Sequence, residues 1–278
     1  MRVHSTFSSS ASALRPPVGM PSRPSPPALA AIPTQVMQVL RLAGSNNPEG
    51  RWKVGTDISH ARNAHFTNTV VELRAALEGP YDWFECDVRR RGGHAFTAHS
   101  PLALTGMQVR EWLDVVARSG RGMKFDIKEA GALAETLRLI QESGIDDRLV
   151  IMNVTPRSRW RRQRMSAEQL MTIRRAVPRA IVNVDPGPPP YTDAVIDRAI
   201  EDAAYVGGPV MFPLDARFVT ASIVARFRRA GRVAIWNDPK QFDPGDVAAA
   251  TRRLRAIGVD GMIDLRRPGG PSSPAGRA

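Results

Sequence analysis

The chain has 278 residues, 42 % of them hydrophobic, and a formal net charge of +12. No apolar run approaches the roughly 18 residues that a membrane-spanning helix needs, and the single cysteine excludes an intrachain disulfide framework. The length exceeds a usual single domain but suits one α/β barrel of about 200–250 residues with a tail.

The positive charge is nearly all arginine and is dispersed, with lysine only at Lys53, Lys124, Lys128 and Lys240. A nucleic-acid partner is recognised by clustered cations that displace counterions, so dispersal argues against one. Residues 1–33 are rich in Ser, Pro, Ala and Arg and hold no Asp or Glu, which reads as a disordered tail. Its prolines break any amphipathic helix and no apolar run precedes a cleavage site, which argues against a targeting peptide and favours a cytoplasmic protein. In residues 34–51 the spacing of Val36, Leu40 and Ala43 predicts a short helix, ended by Ser45-Asn46-Asn47-Pro48.

From Trp52 onward, strand-like runs recur near 54–59, 82–87, 122–127, 148–153, 179–184, 208–213, 232–236 and 260–264. Helical patterns lie between them, such as Leu133, Leu137 and Ile140, Ile223 with Phe227, and Val247 with Ala250 and Leu254. Eight such alternations predict a (β/α)8 TIM barrel over 52–268, with a doubly wound open sheet as the rival. The last helix is missing or replaced in this reading, because Gly269-Gly270-Pro271-Ser272-Ser273-Pro274 follows the final strand, and residues 269–278 form a second tail.

Barrels place their chemistry at strand C-terminal ends, where this reading puts His60, then Glu85 and Asp87, then Asp126 and Lys128, then Asn153, then Trp236 and Asn237, and last Asp264. In Trp83–Val88, alternation sends Glu85 and Asp87 to one face and leaves Cys86 to pack on the other; in Lys124–Lys128, Asp126 and Lys128 share a face opposite Phe125 and Ile127. Three carboxylates in one cavity repel one another unless a cation neutralises them. An oxygen-only set made of Glu85, Asp87 and Asp126, with neither Cys nor a second nearby His, favours Mg²⁺ or Ca²⁺ over zinc. Arg62 and Arg89 fall near the expected mouth, while His65 and His94 read as loop residues without partners.

His60-Ala61-Arg62-Asn63, Phe84-Glu85-Cys86-Asp87-Val88, Ala98-His99-Ser100-Pro101 and Lys124-Phe125-Asp126-Ile127-Lys128 together resemble the ordered motifs of the phospholipase C-like phosphodiesterase superfamily, its menorin-type branch above all. Ala234-Ile235-Trp236-Asn237 followed by Gly258–Asp264 is similar to the ending of glycerophosphodiester phosphodiesterases. The resemblance implies one divalent cation held by Glu85, Asp87 and Asp126, with His60 and His99 as an acid/base pair. Two departures from the glycerophosphodiesterase pattern stand out: His-Ala-Arg-Asn replaces His-Arg-Gly, and Asp126 replaces a Glu. Asp-x-Lys on the third strand is also similar to spider sphingomyelinase D enzymes.

The expected function is a metal-dependent phosphodiesterase acting on a glycerophosphodiester or phospholipid-type diester. In it Lys128 neutralises phosphoryl charge and Asn63, Asn153 and Trp236 hold the substrate. The alternative is a menorin-like, non-catalytic metal- or ligand-binding module.

Overall fold

The computed structural model describes residues 38, 39, 43, 56–103, 105–156 and 163–268. Both segments read as tails lie outside the described residues. Of the helix expected within 34–51, Gln38, Val39 and Ala43 are helical, and Val39 and Ala43 are buried. No described helix is long and apolar enough to cross a membrane.

Among the described residues nine strands form one sheet: β1 (Asn63–Ala64), β2 (Trp83–Arg91), β3 (His94–Thr97), β4 (Gly122–Ile127), β5 (Val150–Val154), β6 (Ile181–Val184), β7 (Val210–Asp215), β8 (Arg232–Trp236) and β9 (Ile263–Asp264). Eight of them are parallel and follow chain order, β1-β2-β4-β5-β6-β7-β8-β9, without the order reversal of a doubly wound sheet. Helices alternate with them: α1 (Val70–Glu78), α2 (Val109–Ser119), α3 (Leu133–Ser143), α4 (Ala167–Ala176), α5 (Asp193–Val206), α6 (Ala221–Phe227) and α7 (Val247–Ala256). The fold is a nearly closed TIM barrel. Among the described residues no ladder joins β9 to β1; the seam is spanned by Asn63 Nδ2, which donates to Asp264 Oδ2 at 3.1 Å, and by His65 Nδ1, 2.5 Å from the same oxygen.

Two elements differ from the sequence expectation. The first described barrel strand is Asn63–Ala64; of the expected 54–59, residues 54 and 55 lie outside the described residues, and Asp57 caps a 3-10 turn at Ile58–His60 by accepting from Ser59 N. The strand starts only where Asn63 and Ala64 pair with Trp83 and Phe84. The additional strand β3 folds back antiparallel on β2 through Gly92 and Gly93, whose φ values of 56° and 89° a tight hairpin turn requires.

The helices bury one face each, as their apolar spacing dictates. In α1, Thr69 and Glu72 form a reciprocal capping box while Leu73, Ala76 and Leu77 turn inward; such a cap contributes about 1 kcal/mol. On β2 and β4, Cys86, Val88, Phe125 and Ile127 are fully buried on the outer face of the barrel, with Trp112 of α2 edge-on to Phe125 at 5.3 Å. Inside the barrel, Ile58, Ala61, Trp83, Ile151, Met211, Ala234 and Met262 pack together. Trp83, Ile151 and Met211 sit in the first half of their strands, and Ile58, Ala61 and Met262 come ahead of β1 and β9, so they plug the N-terminal end and leave the opposite end free for polar side chains.

The Trp83 indole fits because its register partner on β4 is Gly122, where an added Cβ would lie 2.2 Å from the ring. Gly122→Ala should destabilise the barrel by about 1–3 kcal/mol through overpacking, read as a lower urea midpoint at unchanged m-value. An unchanged midpoint would contradict this account of the plug.

Candidate active site

Parallel strands in register set side chains of equal height side by side, about 4.8 Å apart. One such layer runs Asp87, Asp126, Asn153, Asn183 across β2, β4, β5 and β6, and Glu85 stands one step below opposite Lys124. Residues nearly a hundred positions apart thereby share one polar ring. Glu85, Asp87 and Asp126 are buried, and each offers a ligand atom within 4.8 Å of the others.

Their partners are specific. Phe66 N donates to Glu85 Oε2 at 2.9 Å. Asn68 holds Asp87 twice, its Nδ2 donating to Oδ2 and its Oδ1 accepting from Asp87 N, both at 2.8 Å. His99 Nδ1 lies 3.2 Å from Asp87 Oδ2, and Lys128 Nζ lies 2.5 Å from Asp126 Oδ2 and 3.2 Å from Asp87 Oδ1. Yet Glu85 Oε1 and Asp126 Oδ1 are buried without a hydrogen-bond partner, and Asp87 Oδ1 has only its ion pair with Lys128. Orphaned buried oxygens are costly. Two of them, with an oxygen of Asp87 beside them, make an oxygen-only cluster that fits a hard divalent cation.

The electrostatics divide the acids. Burial pushes the Glu85 carboxyl up, and the charges of Asp87 and Asp126 push it the same way against the pull of His65 and Lys124. Burial would raise Asp87 too, but the hydrogen bond from His99, the Lys128 charge and the Asn68 amide outweigh it and hold Asp87 well below the carboxylate range. The same hydrogen bond to Asp87 raises His99. Burial disfavours the Lys128 ammonium, but Asp126 and Asp87 more than offset that and raise its pKa.

The second histidine of the site is His65, just past β1. Its Nδ1 meets Asp264 Oδ2 and its Nε2 lies 3.6 Å from Glu85 Oε2. Burial opposes ionisation of Asp264, yet His65, Arg266 and Lys124 hold its pKa well below the usual range. Phe66 stands between the two imidazoles, edge-on to His65 at 4.5 Å and to His99 at 4.7 Å. Its φ of 58° is left-handed, a conformation that costs a non-glycine residue. The strain is offset where Phe66 N reaches Glu85 and its ring meets the Arg266 guanidinium at 5.3 Å.

A cavity of about 850 Å³ opens over this cluster. Of the residues singled out in the sequence, Asp126, Glu85, His99, Lys128, Asn153 and Trp236 line it, with Asp87 bonded directly behind His99 and Lys128. His60 does not line it: it is exposed on the 3-10 turn ahead of β1, at the end of the strand opposite the mouth. Asn63 is also absent from the lining and braces Asp264 from within the seam. Lys128 is turned onto two carboxylates and orients them.

Neither arginine expected at the mouth is free there: Arg62 pairs with Asp82 at 3.0 Å, and Arg89 is spent on the Ala98 and His99 carbonyls and on Glu129. His94 and His65, read as unpartnered, meet Glu135 at 3.4 Å and Asp264 respectively. Sequence reasoning missed His65 and Asn68, although His65-Phe66-Thr67-Asn68 repeats the His-x-x-Asn spacing of residues 60–63 immediately before the Thr69 cap. It missed Asn183 and Asp185 as well.

The Menorin N-terminal domain family profile matches residues 57–228, more than half of the chain. No curated protein matches the sequence. Among solved structures, a glycerophosphodiester phosphodiesterase from Agrobacterium tumefaciens str.C58 is similar at a TM-score of 0.49 and 14 % identity, over 76 % of this chain and 97 % of that one. A phosphoribosyl anthranilate isomerase from Thermococcus kodakaraensis is similar at 0.46 and 10 % identity, over 77 % and 91 %.

Proposed function

The chain belongs to the Menorin N-terminal domain family, and from that premise we propose that it is a metal-dependent phosphodiesterase of the phospholipase C-like superfamily, cleaving a glycerophosphodiester or phospholipid-type diester. One observation carries the reading. Three buried carboxylates, Glu85, Asp87 and Asp126, with the Glu85 and Asp126 oxygens Oε1 and Oδ1 left without a hydrogen bond, lie beneath a cavity flanked by two histidines that are each held by a carboxylate.

Phosphodiester displacement needs charge neutralised on the non-bridging oxygens, a base for the attacking hydroxyl and an acid for the leaving oxygen. A Mg²⁺ or Ca²⁺ ion bound by Glu85, Asp87 and Asp126 would supply the first. Asp264, held ionised, fixes the Nδ1 proton of His65 and directs Nε2 inward, suited to accept the proton of water or of a substrate hydroxyl. His99, whose protonated form Asp87 favours, is suited to give its proton to the leaving oxygen as the phosphorus–oxygen bond breaks. Lys128 keeps Asp87 and Asp126 in place.

The test is hydrolysis of bis-p-nitrophenyl phosphate and a panel of glycerophosphodiesters with Mg²⁺ or Ca²⁺. Activity should vanish in EDTA, return with the ion, and follow a bell-shaped dependence of kcat/KM on pH, from about pH 5 to 9, set by the two histidines. EDTA-resistant hydrolysis, or a flat profile, rejects the mechanism. Ion binding without turnover of any diester would instead support a binding module.

A further inference from the structure

The layer that carries Asp87 and Asp126 continues into two amides that the reaction above does not use. Asn153 and Asn183, in register on β5 and β6, are 9 % and 2 % exposed, line the cavity, and leave their Oδ1 atoms without a hydrogen-bond partner. Asp185, two residues beyond Asn183, also lines the cavity, its carboxylate accepting from Gly187 N at 2.8 Å and Thr155 Oγ1 at 3.4 Å. Asn183 sits two strands from Asp126, with Asn153 between them. Its amide oxygen, left without a hydrogen bond, is available to a ligand in the cavity.

We propose that Asn153, Asn183 and Asp185 form a subsite for a polyol group, a glycerol or sugar moiety bearing vicinal hydroxyls, attached to the phosphate. The proposal rests on the phosphodiesterase reading and names its substrate class. Each amide offers a donor and an acceptor, and a hydroxyl offers both in return. An alkyl chain or a trimethylammonium headgroup donates nothing, so it would bury these amides unpaired, the kind of mismatch that rejects an analogue most strongly. A primary ammonium donates but cannot accept.

The experiment is calorimetric titration of the full chain in saturating Mg²⁺ with glycerol 3-phosphate, propyl phosphate and phosphocholine. Glycerol 3-phosphate should bind at least about tenfold more tightly than the other two. Asn183→Leu should bring it down to the propyl phosphate level while leaving propyl phosphate unchanged. Asp185→Ala, at a less buried position, should cut the preference severalfold even if Asn183→Leu fails to fold. Equal binding of glycerol and propyl phosphates, tighter binding of phosphocholine, or a preference that survives both substitutions overturns the subsite and leaves the phosphodiesterase reading standing. Failure of all three phosphates to bind overturns both.

Discussion

His65→Ala is expected to lower kcat/KM for a phosphodiester by about 10²–10⁴-fold, the usual worth of a general acid or base, while His60→Ala should leave it within about twofold, as a surface change does. The two residues head tetrads of the same His-x-x-Asn pattern, His-Ala-Arg-Asn and His-Phe-Thr-Asn, so the comparison sets position against pattern. His65 is nearly enclosed, held at Nδ1 by Asp264 and aimed at the acids through Nε2. His60 is exposed on a turn at the other end of β1. Asp264→Asn should give a smaller loss than His65→Ala. It keeps the shape but can offer its amide N–H where the carboxylate accepted, so the imidazole tautomer is no longer fixed. Equal losses from His60→Ala and His65→Ala would remove His65 from its role.

The difference between the two tetrads also shows what the sequence did and did not disclose. Strand periodicity located the second to seventh barrel strands because each carries an apolar run between two helical patterns, and the eighth because an apolar run follows the last helical pattern. The acids were legible for the same reason: Glu85 with Asp87, and Asp126, alternate with fully buried Cys86 and Phe125. β1 spans only Asn63 and Ala64, too short for any alternation to show. The usable signal there was the helix start. A barrel's functional residues lie between a strand end and the next helix cap, and the Thr69–Glu72 capping box puts His65 within four residues of that cap and His60 nine away. Asp264 was legible as a strand end, but its tie to His65 was not, because the partners are 199 positions apart and meet only when the barrel nears closure. Asn183 was obscured differently: a polar residue between Val182 and Val184 reads equally as the solvent face of an edge strand.

Two substitutions in the acidic cluster should move the stability of the metal-free protein in opposite directions while both abolish its response to the ion. Burial and like charge raise Glu85 above its ordinary value near 4.5, so in that window the folded state binds more protons than the unfolded one. Stability then falls as pH rises through the window, and at neutral pH the ionised side chain is a standing cost. Glu85→Gln removes the cost and keeps an acceptor for Phe66 N, so the Tm of the apoprotein should rise by some degrees, at about 2–4 °C per kcal/mol for a domain of this size. Asp87 is the reverse case. Its depressed pKa contributes stability above its unfolded value of 3.8, lost as pH falls through the folded value. Asp87→Asn would leave Lys128 and His99 facing an amide in place of a carboxylate. Breaking a buried charge pair in this way costs roughly 3–5 kcal/mol, so the apoprotein should melt lower. With Mg²⁺ or Ca²⁺ added, the unmodified chain should gain Tm as RT ln(1 + [L]/Kd) dictates, and neither variant should gain. Should both variants melt lower without the ion and still respond to it, the three carboxylates would be a structural cluster and the ion would bind elsewhere.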